Sequence, residues 1–292
     1  MLDLSADHPI TKTLSQVFGA AGIYPLSLTS PLVYKAIRDD NADEMLRLLK
    51  KCPAALKSVR EGQIAPLFVA VIHGHDTCAE ALTKQYPYLL VERDDKGKGV
   101  LHFGIELGNF NGDHAETLIR LGANPDLKDF AGDTPLHYAA RSFSQIGFTE
   151  KLLDNHADIN ARNNEGETPL IVAAQRNSPE LVNFLLLRKV DMDAADDAGI
   201  TPVMHAIRRH AFDSASCLLS YGAKLDLDYE PIETALRVAT TEMHIDFLKL
   251  IGERMGDRDR EIRAQSEQAV NAITEGTQAP VTAMKPLRFK PQ

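Results

Sequence analysis

The tetrapeptide Thr134-Pro135-Leu136-His137 returns as Thr168-Pro169-Leu170-Ile171 and again as Thr201-Pro202-Val203-Met204, in steps of 34 and 33 residues. Self-similarity at this period marks an array of small stacked repeats and takes precedence over any local assignment of structure. Weaker copies extend the series both ways: Ser30-Pro31-Leu32, Ala65-Pro66-Leu67, Gly99-Val100-Leu101-His102 and Thr234-Ala235-Leu236. The repeats therefore start at 30, 65, 99, 134, 168, 201 and 234.

Each copy has the same internal order. Thr or Ser before Pro opens a helix, because the hydroxyl caps an orphan amide and Pro loses nothing at the first helical position. In this helix A, Ala139 and Ala140, or Ala173 and Ala174, are small enough for close helix approach, and Gly74 and Gly108 stand where it should end. Apolar pairs at helical spacing then mark helix B: Leu48 and Leu49, Leu152 and Leu153, Leu185 and Leu186, Leu218 and Leu219. Gly122-Ala123 or Gly222-Ala223 follows. A polar stretch then ends in Gly97, Gly132, Gly166 or Gly199, two residues before the next start, and reads as a turn-rich finger.

This ordered set resembles the ankyrin repeat over roughly residues 30–252. The resemblance implies an all-α solenoid of seven helix-turn-helix repeats with short β-turn fingers. It also implies that His102 and His137, fourth in their tetrapeptides, hydrogen-bond within the framework, and that Gly74-His75 belongs to the fold. Residues 1–29 are expected to cap the array at one end and 253–275 to form a capping helix at the other. Residues 276–292, rich in Thr, Pro and Ala and ending with Lys285, Arg288 and Lys290, are expected to be a disordered tail. The repeats starting at 99 and 134 carry extra length at 109–114 and 142–148. Phe110, Phe143 and Phe148 there either cover one another or form a second contact site.

Composition narrows the function. The formal charge is −9 and the pI about 5.6, which opposes general affinity for nucleic acid or anionic membrane. Cys52, Cys78 and Cys217 are scattered and odd in number, so neither a disulfide framework nor a zinc site is expected. Asp3 and Asp7 stand where a secretory signal would be basic, and no apolar run approaches a membrane span. The expectation is a cytoplasmic monomer, with a specialised bacterial export signal left open. His73, His75 and Asp76 could suggest a metal, and Asp94, Asp95, Asp126, Asp129, Asp193, Asp196 and Asp197 could suggest calcium or acid–base chemistry. Their places follow the repeat and its finger turns, so neither catalysis, metal nor cofactor is expected.

What remains is a surface for another protein. Positions not needed by the fold lie on the fingers and the outer side of helix A. Those on the fingers include Arg93, Lys128, Phe130, Arg162, Asn164, Asp197 and Ile200. Those on helix A include Arg38, Arg141, Arg176, Arg208 and Arg209, which read as a broken basic stripe suited to an acidic partner segment. Phe130 stands where a polar residue is usual and reads as an anchor. The expected function is a non-catalytic interaction scaffold. Two alternatives are a secreted bacterial effector acting on host proteins through the same array, and an enzyme or small-ligand protein with a pocket at the two enlarged loops.

Overall fold

The computed structural model describes residues 31–51, 66–106, 111–142, 146–225, 238–239, 244–254, 264, 267–268, 270–271 and 273–275. Thirteen α-helices are found among them: α1 Pro31–Arg38, α2 Ala42–Lys51, α3 Pro66–Ile72, α4 Asp76–Gln85, α5 Val100–Glu106, α6 Gly112–Arg120, α7 Pro135–Arg141, α8 Ile146–Asp154, α9 Pro169–Gln175, α10 Pro179–Leu187, α11 Pro202–Arg208, α12 Phe212–Tyr221 and α13 Ile245–Arg254. A 3-10 turn, Pro87–Leu90, follows α4, and no strand occurs among the described residues. The expected N-terminal cap, the seventh start at 234 and the tail lie outside the described residues.

Six helices begin one residue after the six starts from 30 to 201, as the tetrapeptide predicts. Thr168 Oγ1 accepts the Ile171 N–H at 3.3 Å, and Thr201 Oγ1 accepts that of Met204 at 3.5 Å. Where the fourth residue is histidine, its ring reaches back instead. His137 Nδ1 accepts the Thr134 N–H at 3.1 Å, and His102 Nδ1 accepts that of Gly99 at 3.1 Å. Two of these short helices A are buried almost throughout: α3 buries every residue from Pro66 to Val71, and α9 every residue from Pro169 to Ala174. Such helices are stable only inside a stack. The helices B bury one stripe, for example Leu181, Val182, Leu185 and Leu186 of α10.

Both turns of the repeat need a left-handed residue. After helix A it is Asp40, Gly74, Asn177 or His210, with φ between 45° and 69°. After helix B it is Gly122, His156, Lys189 or Gly222. In each case the next N–H bonds back to a carbonyl five residues earlier, as in His75 to Ala70 at 2.8 Å and Ala123 to Leu118 at 2.9 Å, closing the helix end. Glycine is therefore one solution at these sites and not a requirement.

The chain divides into two compact bodies, residues 1–163 and 164–292. In the first, helices A pack on helices A (α1 on α3, α5 on α7) and helices B on helices B (α2 on α4, α6 on α8). In the second, α9 packs on α11 and α10 on α12, with α13 continuing the helix B row against α12. Helical residues recur at 264, 267–268, 270–271 and 273–274, within the span expected to form the C-terminal cap.

The extra length of two repeats is shorter as loop than the sequence suggested. Helix α6 already begins at Gly112 and α8 at Ile146, so 112–114 and 146–148 are helical. Phe148 is 1% exposed in the core and covers no outer surface. Gly112 lies so close to the next helix that a Cβ there would stand 2.5 Å from the Gly147 carbonyl oxygen. Phe110 and Phe143 lie outside the described residues.

Candidate functional site

The fingers are built by aspartate. Asp94, Asp129 and Asp196 each turn one carboxylate oxygen onto the N–H groups two and four residues on: Asp94 accepts from Lys96 and Lys98, Asp129 from Ala131 and Asp133, Asp196 from Ala198 and Ile200, all at 2.8–2.9 Å or, for Ala198, 3.0 Å. In Asp129 and Asp196 the second oxygen reaches the residue just after the following tetrapeptide. Asp129 Oδ2 accepts the Tyr138 hydroxyl and Asp196 Oδ2 the His205 Nε2–H, both at 2.8 Å. Burial raises the Asp196 pKa, but these hydrogen bonds outweigh it and hold the carboxyl below its ordinary value. Burial, aided by the Asp129 hydrogen bond and charge, pushes the Tyr138 hydroxyl far up. Three of the seven carboxylates that suggested calcium or acid–base chemistry, Asp94, Asp129 and Asp196, thus hold the fingers.

Neighbouring fingers are tied to each other. In the first body the Phe130 N–H donates to the Lys96 carbonyl at 2.9 Å, Arg93 Nη1 donates to the Lys128 carbonyl at 3.0 Å, and Lys128 Nζ donates to the Arg162 carbonyl at 2.8 Å. Arg93, Lys128 and Arg162 occupy matching finger positions and are exposed. Phe130 is 66% exposed, and its ring lies over Gly97, where an added Cβ would fall 2.6 Å from Cδ1. The ring expected as an anchor is thus close-packed beneath and open above. In the second body the Asp197 N–H donates to the Glu165 carbonyl at 3.1 Å; Asn164 and Asp197 are exposed and Ile200 is half-buried.

The arginines expected as one stripe are sorted differently. Counting back from the left-handed turn residue, Arg38 and Arg208 share the last place of helix A with Ile72 and Gln175, whereas Arg176 and Arg209 lie one residue later. These four therefore occupy two places about 100° apart around helix A, because the first helix A is one residue longer and so shifts the count. Arg141, the last residue of α7, is engaged in the framework: its Nη1 lies 2.6 Å from Asp133 Oδ2, whose side chain is 3% exposed, and its guanidinium stands 5.6 Å from the Tyr138 ring centre. Asp133 is also held by Asn163 Nδ2 at 3.0 Å. Arg38 pairs at 3.5 Å with exposed Asp39, and Arg176 and Arg209 are exposed.

The histidines are held as parts of the frame. His102 Nε2 donates to the Asp133 carbonyl at 3.1 Å, and burial lowers its pKa. His205, which sequence reasoning missed, is 2% exposed between Asp196, Gln175 and Arg208. The available signal was its place nine residues after a finger aspartate, shared with Tyr138. His73 and His75 stack at 5.9 Å, and Asp76 pairs with Arg120 at 3.3 Å. Among the described residues no group of three or more His, Cys, Asp or Glu is placed to hold a metal ion. No described helix is long and apolar enough to cross a membrane.

Comparison with known proteins adds family evidence to this geometry. A family model described as ankyrin repeats in three copies matches residues 109–196 and 170–260. Neurogenic locus notch homolog protein 2 of Mus musculus is 30% identical over 233 residues, 77% of this chain and 9% of that protein. Neurogenic locus notch homolog protein 1 of Homo sapiens is 31% identical over 148 residues, 51% of this chain and 6% of that protein. The chain thus spans less than a tenth of the curated relatives it matches. Among solved structures, one chain of the complex of a predatory endopeptidase from Bdellovibrio bacteriovorus with an immunity protein aligns at a TM-score of 0.50 and 26% identity. The alignment covers 65% of this chain and 98% of that one.

Proposed function

We propose, because this chain belongs to the ankyrin-repeat family, that it is a non-catalytic protein-interaction scaffold, cytoplasmic in location, whose partner rests on the fingers and the outer side of helices A. The observation that carries this reading is Phe130: an aromatic ring 66% exposed on a finger whose backbone is pinned to its neighbour. A large apolar side chain already fixed in place loses little entropy on binding, which is the physics of an interface anchor. Exposed Lys96 and Lys128 flank it and give the rim charge.

The test is site-specific photo-crosslinking in cells, with the reactive residue at 130 or, as a control on a helix B, at exposed Leu187. A partner crosslinked from 130 that the wild-type chain captures by affinity and the Phe130→Ala chain does not supports the reading; adducts only from 187 overturn the choice of face. The likeness to a chain from an endopeptidase–immunity protein complex favours a second reading, in which the partner is an enzyme that the array restrains. Identification of a captured hydrolase, inhibited by added array, would select it.

A further inference from the structure

We propose that His205 is a proton-operated latch on the second body's binding side: its unprotonated Nδ1 holds Arg208 and Gln175, and protonation lets Arg208 go while Nε2 keeps the finger anchored. The inference rests on the finger and helix A reading and adds what regulates that side.

The geometry sets the tautomer. His205 Nδ1 lies 3.0 Å from Arg208 Nη2 and 3.1 Å from Gln175 Nε2, and both neighbours are donors. The guanidinium has no acceptor, so Nδ1 must be the lone-pair nitrogen and Nε2 must carry the hydrogen that goes to Asp196 Oδ2 at 2.8 Å. Gln175 Nε2 also donates to Glu167 Oε1 at 2.6 Å, which fixes the amide's orientation. A second proton on His205 would turn Nδ1 into a donor facing a cation. Arg208 must then leave, and the Gln175 amide must turn its oxygen inward. The Nε2–H bond to Asp196 survives in both states, and Asp196 still accepts from Ala198 and Ile200, so the finger does not move with the latch.

The charged groups acting on the ring are Asp196 from the finger, Glu167 from the turn before α9 and Arg208 from its own helix. Helix α12, packed against α11, buries only Phe212, Ser214, Ala215, Leu218 and Leu219. Burial keeps the imidazole neutral below its ordinary pKa, Arg208 reinforces this, and the two carboxylates oppose it. The latch is therefore closed at neutral pH and opens on acidification. Arg208 is exposed at the end of α11, so the cation it presents to a partner changes between the two states.

Long-range nitrogen–proton NMR on the full-length, nitrogen-labelled chain tests this without a partner. The His205 ring should show the Nε2–H tautomer at neutral pH, a titration midpoint below that of free histidine, and an Arg208 side-chain resonance that moves with the same midpoint. Arg208→Gln should shift the His205 midpoint upward. An Nδ1–H tautomer, an Arg208 resonance that ignores the titration, or global unfolding before Arg208 moves overturns the latch. Because every readout uses the free chain, its failure leaves the Phe130 crosslinking test intact, and the reverse also holds.

Discussion

Arg141→Ala is the change that separates framework from surface. The guanidinium removed is 36% exposed, but the carboxylate it leaves, Asp133, is 3% exposed. Breaking a buried pair by deleting one partner costs about 3–5 kcal/mol. Here Asn163 still donates to Asp133 Oδ1 and solvent reaches the arginine end, so a loss below that range, about 2–3 kcal/mol, is expected. The assay is urea unfolding followed by circular dichroism for Arg141→Ala, Asp133→Asn and the double variant. Asn at 133 removes the buried charge that Arg141 neutralises, so the two changes should be non-additive by about 1–2 kcal/mol. Loss within about 0.5 kcal/mol for Arg141→Ala, or strict additivity, would refute the assignment and return Arg141 to the binding surface. The expected outcome also means that a binding assay built on Arg141→Glu would report unfolding instead of recognition.

Phe130→Ala should change stability by less than about 0.5 kcal/mol, as exposed substitutions do, while abolishing affinity capture of the partner that crosslinks from position 130; an unfolding midpoint lowered as much as by Arg141→Ala would make Phe130 structural. Thr168→Ala should cost about 1 kcal/mol through loss of the Ile171 cap, and an unchanged midpoint would contradict the helix start. Stability should fall as pH drops below about 6.5. Burial holds His102 and His205 below the ordinary histidine value of 6.5, so the unfolded chain takes up protons there that the folded chain refuses. Asp40 and Asp196, also held low, add a further loss as pH falls through the carboxylate range, and urea midpoints that rise on acidification would reverse the argument. Cys78, wholly buried with its thiol pushed up to about 12, should resist alkylation in the native chain at pH about 8, and labelling as fast as in urea would contradict its burial.

The repeat register was legible because its signals are local: a capping hydroxyl, a proline and the apolar residue beside them, or part of that set, place each start of a helix A. The chemistry of the surface was less so, because it depends on partners a full repeat away. Gln175 and His205 are 30 residues apart, as are Asp133 and Asn163, and no spacing rule within one helix announces such pairs. Arg141 looked like surface since its acceptor, eight residues earlier, belongs to a finger whose aspartates read as solvated. Phe148 looked like loop because the helix start at Ile146 lacks a proline or hydroxyl cap.

The left-handed turn residues after helix A bear on how such an array can change by gain or loss of single repeats. Asp40 Oδ1 accepts the Cys78 N–H at 3.1 Å, and Asn177 Oδ1 accepts that of Ser214 at 3.1 Å while its amide reaches Asp213. Each of these side chains therefore caps the second helix of the repeat that follows it. A spliced-in or excised repeat disturbs two junctions as well as one core, and a newcomer without a matching first turn on helix B orphans a carboxylate or amide in the repeat before it. The modularity visible in the tetrapeptide is thus directional: tolerance for insertion depends on the incoming repeat's helix B meeting the turn residue already in place upstream.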